Sequence, residues 1–91
     1  MSGQRKIQED IDILEQQERL YEIILFNDEV NTFDHVIDML IEVCEHTSTQ
    51  AEQCSIIVHN NGKCAVKTGS FKELKPRCSK LLEAGLSAEI V

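Results

Sequence analysis

A group of polar residues directly follows an apolar run near the start of the chain. Asn27, Asp28 and Glu29 come after the run Tyr21–Phe26, and a new apolar pattern begins at Phe33. Carboxylates attract cations, and a charge-assisted hydrogen bond to an ammonium group contributes about 1.5–3 kcal/mol. An amide side chain adds one acceptor and two donors. The junction therefore predicts a site that holds a cation beside an apolar cavity.

Two regular elements would have to position this polar group. Tyr21–Phe26 is rich in Tyr, Ile and Phe, which favours a β-strand. After it, apolar residues recur at helical spacing, so a helix with one buried face is predicted. Asn31 or Thr32 would cap that helix, and Asp34 in its first turn suits the helix dipole. The apolar positions are Phe33, Val36, Ile37, Leu40, Ile41, Val43 and Cys44.

The next segment is ambiguous on local pattern alone. Cys54–His59, an Asn-Gly turn ending at Gly62, and Lys63–Thr68 together read as a β-hairpin. Thr49–Glu52, in contrast, has the pattern of a capping box that opens a helix, with Gly62 as its stop. The residues by themselves weigh these two interpretations equally.

The rest of the chain predicts one more helix and a strand on either side of it. Lys63–Thr68 is predicted as a strand, Ser70–Glu83 as a helix and Leu86–Val91 as a last short strand. Pro76 lacks a backbone donor, so the helix must kink or restart there, and Gly85 ends it. With the helical interpretation of the ambiguous segment, the order is β-α-α-β-α-β. The predicted fold class is α+β, a small sandwich in which helices cover one face of a three-stranded sheet.

Length and composition indicate one domain. The chain has 91 residues, of which 42% are hydrophobic and only 4% aromatic, so the core must be small and mostly aliphatic. Residues 1–19 are mostly polar and are predicted to form a flexible extension, although Ile7, Ile11 and Leu14 have the spacing of a weak amphipathic helix. Residues 20–91 are predicted to form the core domain.

Charge and cysteine content exclude several classes of function. A formal charge of −7 without a Lys or Arg cluster argues against nucleic-acid binding and suits a cationic ligand or a basic partner. The apolar runs are too short for a membrane span or a signal peptide, which predicts a cytoplasmic protein. Free thiols are then expected rather than disulfides, and the cysteine spacing predicts no metal site. The four cysteines are Cys44, Cys54, Cys64 and Cys78.

Several of these features together resemble the ClpS family, the adaptor proteins of the bacterial Clp protease. The match covers most of a domain, and the spacing from Asn27 to His59 is that of the family. The resemblance favours the helix over the hairpin in the ambiguous segment. The residues that carry it are Tyr21–Glu29, Val36–Asp38, Ala51–Gln53, Val58-His59 and Gly62-Lys63.

The resemblance implies an activity other than catalysis. Family members recognise proteins whose free N-terminal residue is Phe, Leu, Tyr or Trp. They pass these substrates to the N-terminal domain of a hexameric Clp ATPase. By resemblance the protein is then a monomer, and no cofactor is expected. Neither nucleic acid nor a membrane is expected among its partners, because of the acidic charge and the short apolar runs. The extension 1–19 corresponds to the arm that members offer to the ATPase.

The resemblance also assigns residues to the free N-terminus of a substrate, whose α-ammonium group has a pKa near 8. By this assignment Asn27, Asp28, Glu29 and His59 bind the α-amino group. His59 can accept a hydrogen bond only while its ring is neutral, so binding is expected to weaken when the imidazole is protonated. An acetylated N-terminus would leave these acceptors unpaired and should be rejected.

The hydrophobic pocket of the family corresponds to a second group of residues, in which this chain departs from the usual pattern. Phe33 replaces the methionine that gates the pocket, and Ser55 replaces a second methionine. Methionines adapt to ligands of several shapes, so the preference among Phe, Leu, Tyr and Trp is open here. The pocket residues are Asn31, Phe33, Ser55, Val58 and Leu86.

One residue corresponds to the ATPase-facing surface of the family. Arg77 matches a basic residue on the third helix, whereas the acidic position of that surface falls on Lys72 and is not carried over. Arg77 is therefore predicted to contact the ATPase.

Two other functions compete with this hypothesis. The substitutions at Phe33 and Ser55 would also suit a docking domain of the same fold with a degenerate pocket. An enzyme would use Cys54, His59 and Asp28 as nucleophile, base and orienting acid. The enzyme is disfavoured, because Cys54 and His59 stand five apart on one predicted helix and no oxyanion arrangement is in sight.

Overall fold

The computed structural model describes residues 19–91 and confirms the predicted order β-α-α-β-α-β. The predicted extension falls outside these residues, except for Arg19. Every predicted boundary from Tyr21 onward lies within two residues of the observed one. The elements are β1 (Tyr21–Phe26), α1 (Phe33–Cys44), α2 (Ser48–Asn61), β2 (Lys63–Gly69), α3 (Phe71–Glu83) and β3 (Ser87–Ile90).

β1 is the central strand of a three-stranded sheet with the order β2-β1-β3. Both neighbours run antiparallel to it, so the last residue of β1, Phe26, pairs with the first residues of its neighbours, Lys63 and Ser87. The loop after β1, the end of α2 and the turn before β3 therefore meet at one end of the sheet, where β1 ends and its two neighbours begin. This convergence positions the polar residues after Phe26.

The ambiguous segment is the helix α2, and the hairpin interpretation is wrong for it. Its capping box is Thr47 with Gln50 rather than Thr49 with Glu52: Thr47 Oγ1 accepts from the Gln50 N–H at 3.2 Å, and Gln50 Oε1 accepts from the Thr47 N–H at 2.9 Å. Gly62 ends the helix with a φ of 91°, a left-handed conformation that glycine adopts without strain.

α3 is one continuous helix, so of the two outcomes predicted at Pro76, a kink or a restart, the restart is wrong. Its first-turn cap is Ser70, whose Oγ accepts from the Glu73 N–H at 3.2 Å. The carbonyl that loses its helical partner to Pro76 belongs to Lys72, and both residues are exposed. Water can therefore satisfy that carbonyl, and the helix continues to Glu83.

The core lies between one face of the sheet and the helices. Ile23 and Leu25, two positions apart on β1, are fully buried because alternate side chains of a strand point to the same face. They pack with fully buried residues of the helices: Leu40, Cys44, Leu74 and Leu81.

Within residues 19–91, no helix has the length and apolar character needed to cross a membrane. The same part of the chain contains no group of three or more His, Cys, Asp or Glu side chains placed to hold a metal ion.

Candidate functional site

A cavity of about 380 Å³ opens at the end of the sheet where β1 ends. It lies between the loop after β1, the start of α1, the middle of α2 and the turn before β3. Its lining contains both groups of residues that the sequence analysis assigned, one to the α-amino group of a ligand and one to a hydrophobic pocket. They are Asn27, Asp28, Glu29, Asn31, Phe33, Ser55, Val58, His59 and Leu86.

Four lining residues were missed by sequence reasoning. Leu25 and Phe26 are the last residues of β1, Thr32 directly precedes α1, and Val36 lies in the first turn of α1. Thr32 caps α1, since its Oγ1 accepts from the His35 N–H at 3.1 Å. Val36 lies one helical turn beyond Phe33, so the period of the helix is the signal that could have identified it.

The mouth of the cavity is polar and exposed. The Asn27 N–H donates to the Gly62 carbonyl at 2.9 Å, which fixes the backbone at the end of β1 against the end of α2. The Asn27 side chain is exposed and lines the cavity, so its amide can meet a ligand there. Glu29 is exposed beside it.

Asp28 has a structural task in addition to its charge. Its Oδ1 accepts from the backbone N–H groups of Val30 at 2.9 Å and Asn31 at 2.8 Å, and its Oδ2 accepts from Asn31 Nδ2 at 2.7 Å. The Asn31 backbone hydrogen bond is the main reason that the pKa of Asp28 is below its ordinary value. A carboxylate can accept about four hydrogen bonds, so Oδ2 retains room for one from a ligand.

Asn31 joins the mouth of the cavity to its far wall. The two protons of its Nδ2 go to Asp28 Oδ2 at 2.7 Å and to the Gly85 carbonyl at 2.8 Å. Nearby, His35 Nε2 lies 2.9 Å from the Ala84 carbonyl oxygen, so its ring must carry a proton on Nε2 to donate there. These bonds hold the turn before β3 against the start of α1, and no local sequence pattern indicated them.

Phe33 and His59 form one side of the rim. Their ring centroids are 5.2 Å apart with an angle of 58° between the planes, so residues from α1 and α2 contact each other here. Phe33 remains 45% exposed. Its ring therefore stands beside the opening and leaves the cavity accessible.

The floor of the cavity is formed by buried residues of α2 and of the turn before β3. Ser55 and Val58 of α2 are 3% and 5% exposed, and Leu86, which precedes β3, is 3% exposed. The cavity is thus polar and exposed at its mouth and enclosed at its floor.

Arg77 lies away from the cavity, on α3. Its Nη1 donates to the Val43 carbonyl at 2.5 Å, and its Nη2 pairs with Glu45 Oε1 at 2.8 Å. Glu45 follows α1 in the left-handed region, with a φ of 59°. Arg77 therefore caps the end of α1, a structural task that its sequence position did not reveal.

The residues proposed for an enzyme do not form a catalytic group. Cys54 lies in a second groove with Cys44 and Ile57, whereas Asp28 and His59 line the first cavity. Burial is the main reason that the pKa of Cys54 is raised to about 11. Since the thiolate is the nucleophile, this thiol is unreactive near neutral pH.

The stability of the domain is expected to fall in acid. Arg77 lowers the pKa of Glu45, as the Asn31 bond lowers that of Asp28. As the pH falls below about 4, the unfolded chain therefore takes up protons before the folded domain does. The stability present above that pH is lost as the pH falls through the lowered pKa values of the folded state. Urea unfolding at pH 5 and pH 3 should show a lower free energy of unfolding at pH 3. Asp28→Asn should reduce this difference between the two pH values more than Asp38→Asn does. An equal loss in both variants would contradict the assignment to Asp28.

Comparisons with known proteins agree on one family. The family model described as ATP-dependent Clp protease adaptor protein ClpS matches residues 16–89. An ATP-dependent Clp protease adapter protein ClpS of Helicobacter hepaticus is 34% identical over 67 residues, which are 71% of this chain and 68% of the relative. A protein of the same description from Campylobacter jejuni is 33% identical over 78 residues, covering 79% of this chain and 81% of the relative.

A solved structure confirms the fold. The structure of Agrobacterium tumefaciens ClpS2 bound to L-phenylalaninamide superposes with a TM-score of 0.76 and covers 80% of this chain and 95% of that chain. The two sequences are only 16% identical, so the likeness concerns the fold alone.

Proposed function

The chain belongs to the ClpS family of adaptor proteins of the ATP-dependent Clp protease, and from this premise we propose that it binds proteins with a free, large hydrophobic N-terminal residue. Phe, Leu, Tyr and Trp are the proposed residues, and the N-terminal domain of a hexameric Clp ATPase is the proposed recipient. The family consists of adaptors rather than enzymes. The observation that carries the proposal is one cavity with an acceptor-rich mouth and an enclosed floor that is apolar except for Ser55.

The mouth can complement an α-ammonium group. Such a group has three N–H donors, and the mouth offers three acceptors. They are the side-chain oxygen of Asn27, the remaining site on Asp28 Oδ2 and a ring nitrogen of neutral His59. Glu29 is exposed, so its contribution is attraction at longer range. The formal charge of −7 adds a general attraction for cationic ligands.

The floor can bury the side chain of the same residue. Leu86 and Val58 supply apolar walls, and Phe33 lies at the rim. An aromatic side chain buries about 150–250 Å², and at about 25 cal/mol per Å² this contributes roughly 4–6 kcal/mol before the cost of association. Side-chain burial and ammonium binding together would give specificity for an N-terminal residue over an internal one.

The cavity also bears on the alternative, a docking domain with a degenerate pocket. Phe33 could have filled the cavity, but its ring lies at the rim against His59 and about 380 Å³ stays open. An open cavity supports N-terminus binding over the alternative.

Residues 20–91 are proposed as the core domain and residues 1–19 as the segment offered to the ATPase. A monomer is the proposed state, with Arg77 as the proposed contact to the ATPase. The two hydrogen bonds that Arg77 makes within the domain leave part of its guanidinium for that contact.

The proposal predicts that an acetylated peptide binds at least tenfold more weakly than its free twin. Acetylation removes the charge and the donors that the mouth would bind, and one charge-assisted hydrogen bond is worth about that factor. Fluorescence anisotropy of a labelled Phe-initial peptide, its acetylated twin and a Leu-initial peptide would measure this. Equal binding of the first two would contradict N-terminus recognition. Binding of the ATPase N-terminal domain without any of the three peptides would favour the docking domain.

A further inference from the structure

Ser55 is a polar residue at the floor of an otherwise apolar part of the cavity. It is 3% exposed. Among residues 19–91 it is the one buried residue that has a polar or charged side chain. Its neighbours on the buried face of α2 are Ala51 and Val58. The chemistry of this hydroxyl therefore decides what the floor can recognise.

The single proton of the hydroxyl is already used. Ser55 Oγ donates to the Ala51 carbonyl at 2.8 Å, a hydrogen bond within α2. A hydroxyl oxygen has two lone pairs in addition to its proton. With the proton committed to the helix, Ser55 offers the cavity an acceptor and no donor.

The depth of the cavity determines which part of a ligand meets this acceptor. Asn27 and Glu29 at the mouth are exposed, whereas Ser55 and Leu86 at the floor are buried. A residue whose ammonium group is held at the mouth therefore directs the far end of its side chain toward the floor. Phe and Leu bring only C–H groups there, while Tyr brings an O–H donor.

We propose that Ser55 makes this pocket select N-terminal Tyr over N-terminal Phe, by accepting a hydrogen bond from the phenolic hydroxyl. The inference rests on the proposed function, because it needs the ammonium group at the mouth. A neutral hydrogen bond in a protein contributes a net amount equivalent to about threefold to tenfold in affinity. Tyr is protonated at neutral pH and brings its donor intact.

The first test uses the wild-type protein and peptides that differ only in their first residue. Tyr is expected to bind about threefold to tenfold more tightly than Phe. 4-Fluorophenylalanine, which has a substituent at the same place but no donor, is expected to bind like Phe. O-Methyltyrosine has the oxygen without the proton and is expected to lose the advantage of Tyr. Equal affinity for Tyr and Phe, or an equal gain for 4-fluorophenylalanine, would overturn the inference.

The second test changes the acceptor. Ser55→Ala removes the acceptor and suits a helix interior, so the ratio of Tyr to Phe affinity is expected to come close to one. Ser48→Ala, at an exposed position of the same helix, is the matched control and should retain the preference. A Tyr preference that survives Ser55→Ala in a protein with a normal thermal melt would contradict the role of Ser55.

These outcomes separate the inference from the proposed function. Binding of free but not acetylated peptides, without a difference between Tyr and Phe, overturns the inference alone. Absence of binding by every free peptide overturns both. If Ser55→Ala fails to fold, the ligand series on the wild-type protein still decides between the presence and absence of the acceptor effect.

Discussion

Replacement of Asp28 by alanine is expected to weaken the binding of a Phe-initial peptide about a hundredfold. Two effects combine in this variant. The α-ammonium group loses a charged acceptor, and a charge-assisted hydrogen bond is worth about 1.5–3 kcal/mol. The loop also loses the three hydrogen bonds by which the carboxylate holds Val30 and Asn31 in place. Anisotropy titration of the labelled peptide would measure the change.

Two further variants separate the charge from the loop. Asp28→Asn keeps the shape of the side chain but places an amide against the donors of Asn31, so an intermediate loss is expected. Asp38→Ala removes an exposed carboxylate of α1, so it should bind the peptide like the wild type. A change of less than threefold for Asp28→Ala, in a protein with a normal thermal melt, would refute the assigned role of Asp28.

Replacement of Arg77 by alanine is expected to lower the free energy of unfolding by about 2 kcal/mol. The guanidinium satisfies the Val43 carbonyl at the end of α1, and Val43 is buried. A buried carbonyl left without a partner costs about 1–3 kcal/mol. In a domain of this size the melting temperature should fall by roughly 8–16 °C, which calorimetry would detect. The ion pair with exposed Glu45 contributes little, so Glu45→Gln should change stability far less.

The same variant tests whether Arg77 contacts the ATPase. Lys75→Ala removes an exposed cation of the same helix and should leave stability nearly unchanged. Binding of each variant to the isolated ATPase N-terminal domain should be measured well below its melting temperature. A loss of ATPase binding in folded Arg77→Ala, but not in Lys75→Ala, would support the contact. Unchanged stability of Arg77→Ala would contradict its role as the cap of α1.

The parts of the site that sequence could predict are those fixed by local geometry. Asn27, Asp28 and Phe33 follow one strand within seven residues, and Ser55, Val58 and His59 share one helical face. The site roles of Phe33, Ser55, Val58 and His59, like that of Leu86, came from the family resemblance, and the local geometry of strand and helix is consistent with them. The bonds from Asn31 to Gly85 and from Arg77 to Val43 span 54 and 34 residues. Such contacts depend on how whole elements pack, and no periodicity in the chain encodes them.

The start of α2 shows a different limit of prediction from sequence, because two local patterns compete there. Thr47–Gln50 and Thr49–Glu52 both have the pattern of a capping box, and the helix uses the first. Local pattern also allowed a hairpin, because Ile56, Ile57 and Val58 favour strands. Ala51, Ser55 and Val58 are buried together at helical spacing, so the choice is made by packing against the rest of the domain.

The position of β1 determines the distance between the chain segment before Tyr21 and the mouth of the cavity. The strand enters the sheet at Tyr21 and ends six residues later at Phe26, next to the mouth of the cavity. At about 3.4 Å per residue, the two ends are roughly 17 Å apart. Under the proposed function, the chain before Tyr21 and a protein whose N-terminus binds at Asn27 are attached at opposite ends of one strand. A path from Tyr21 back to the mouth needs about five residues even when fully extended. If the ATPase engages the segment before residue 20, as proposed, the length of that segment sets how far from the bound N-terminus the contact can lie.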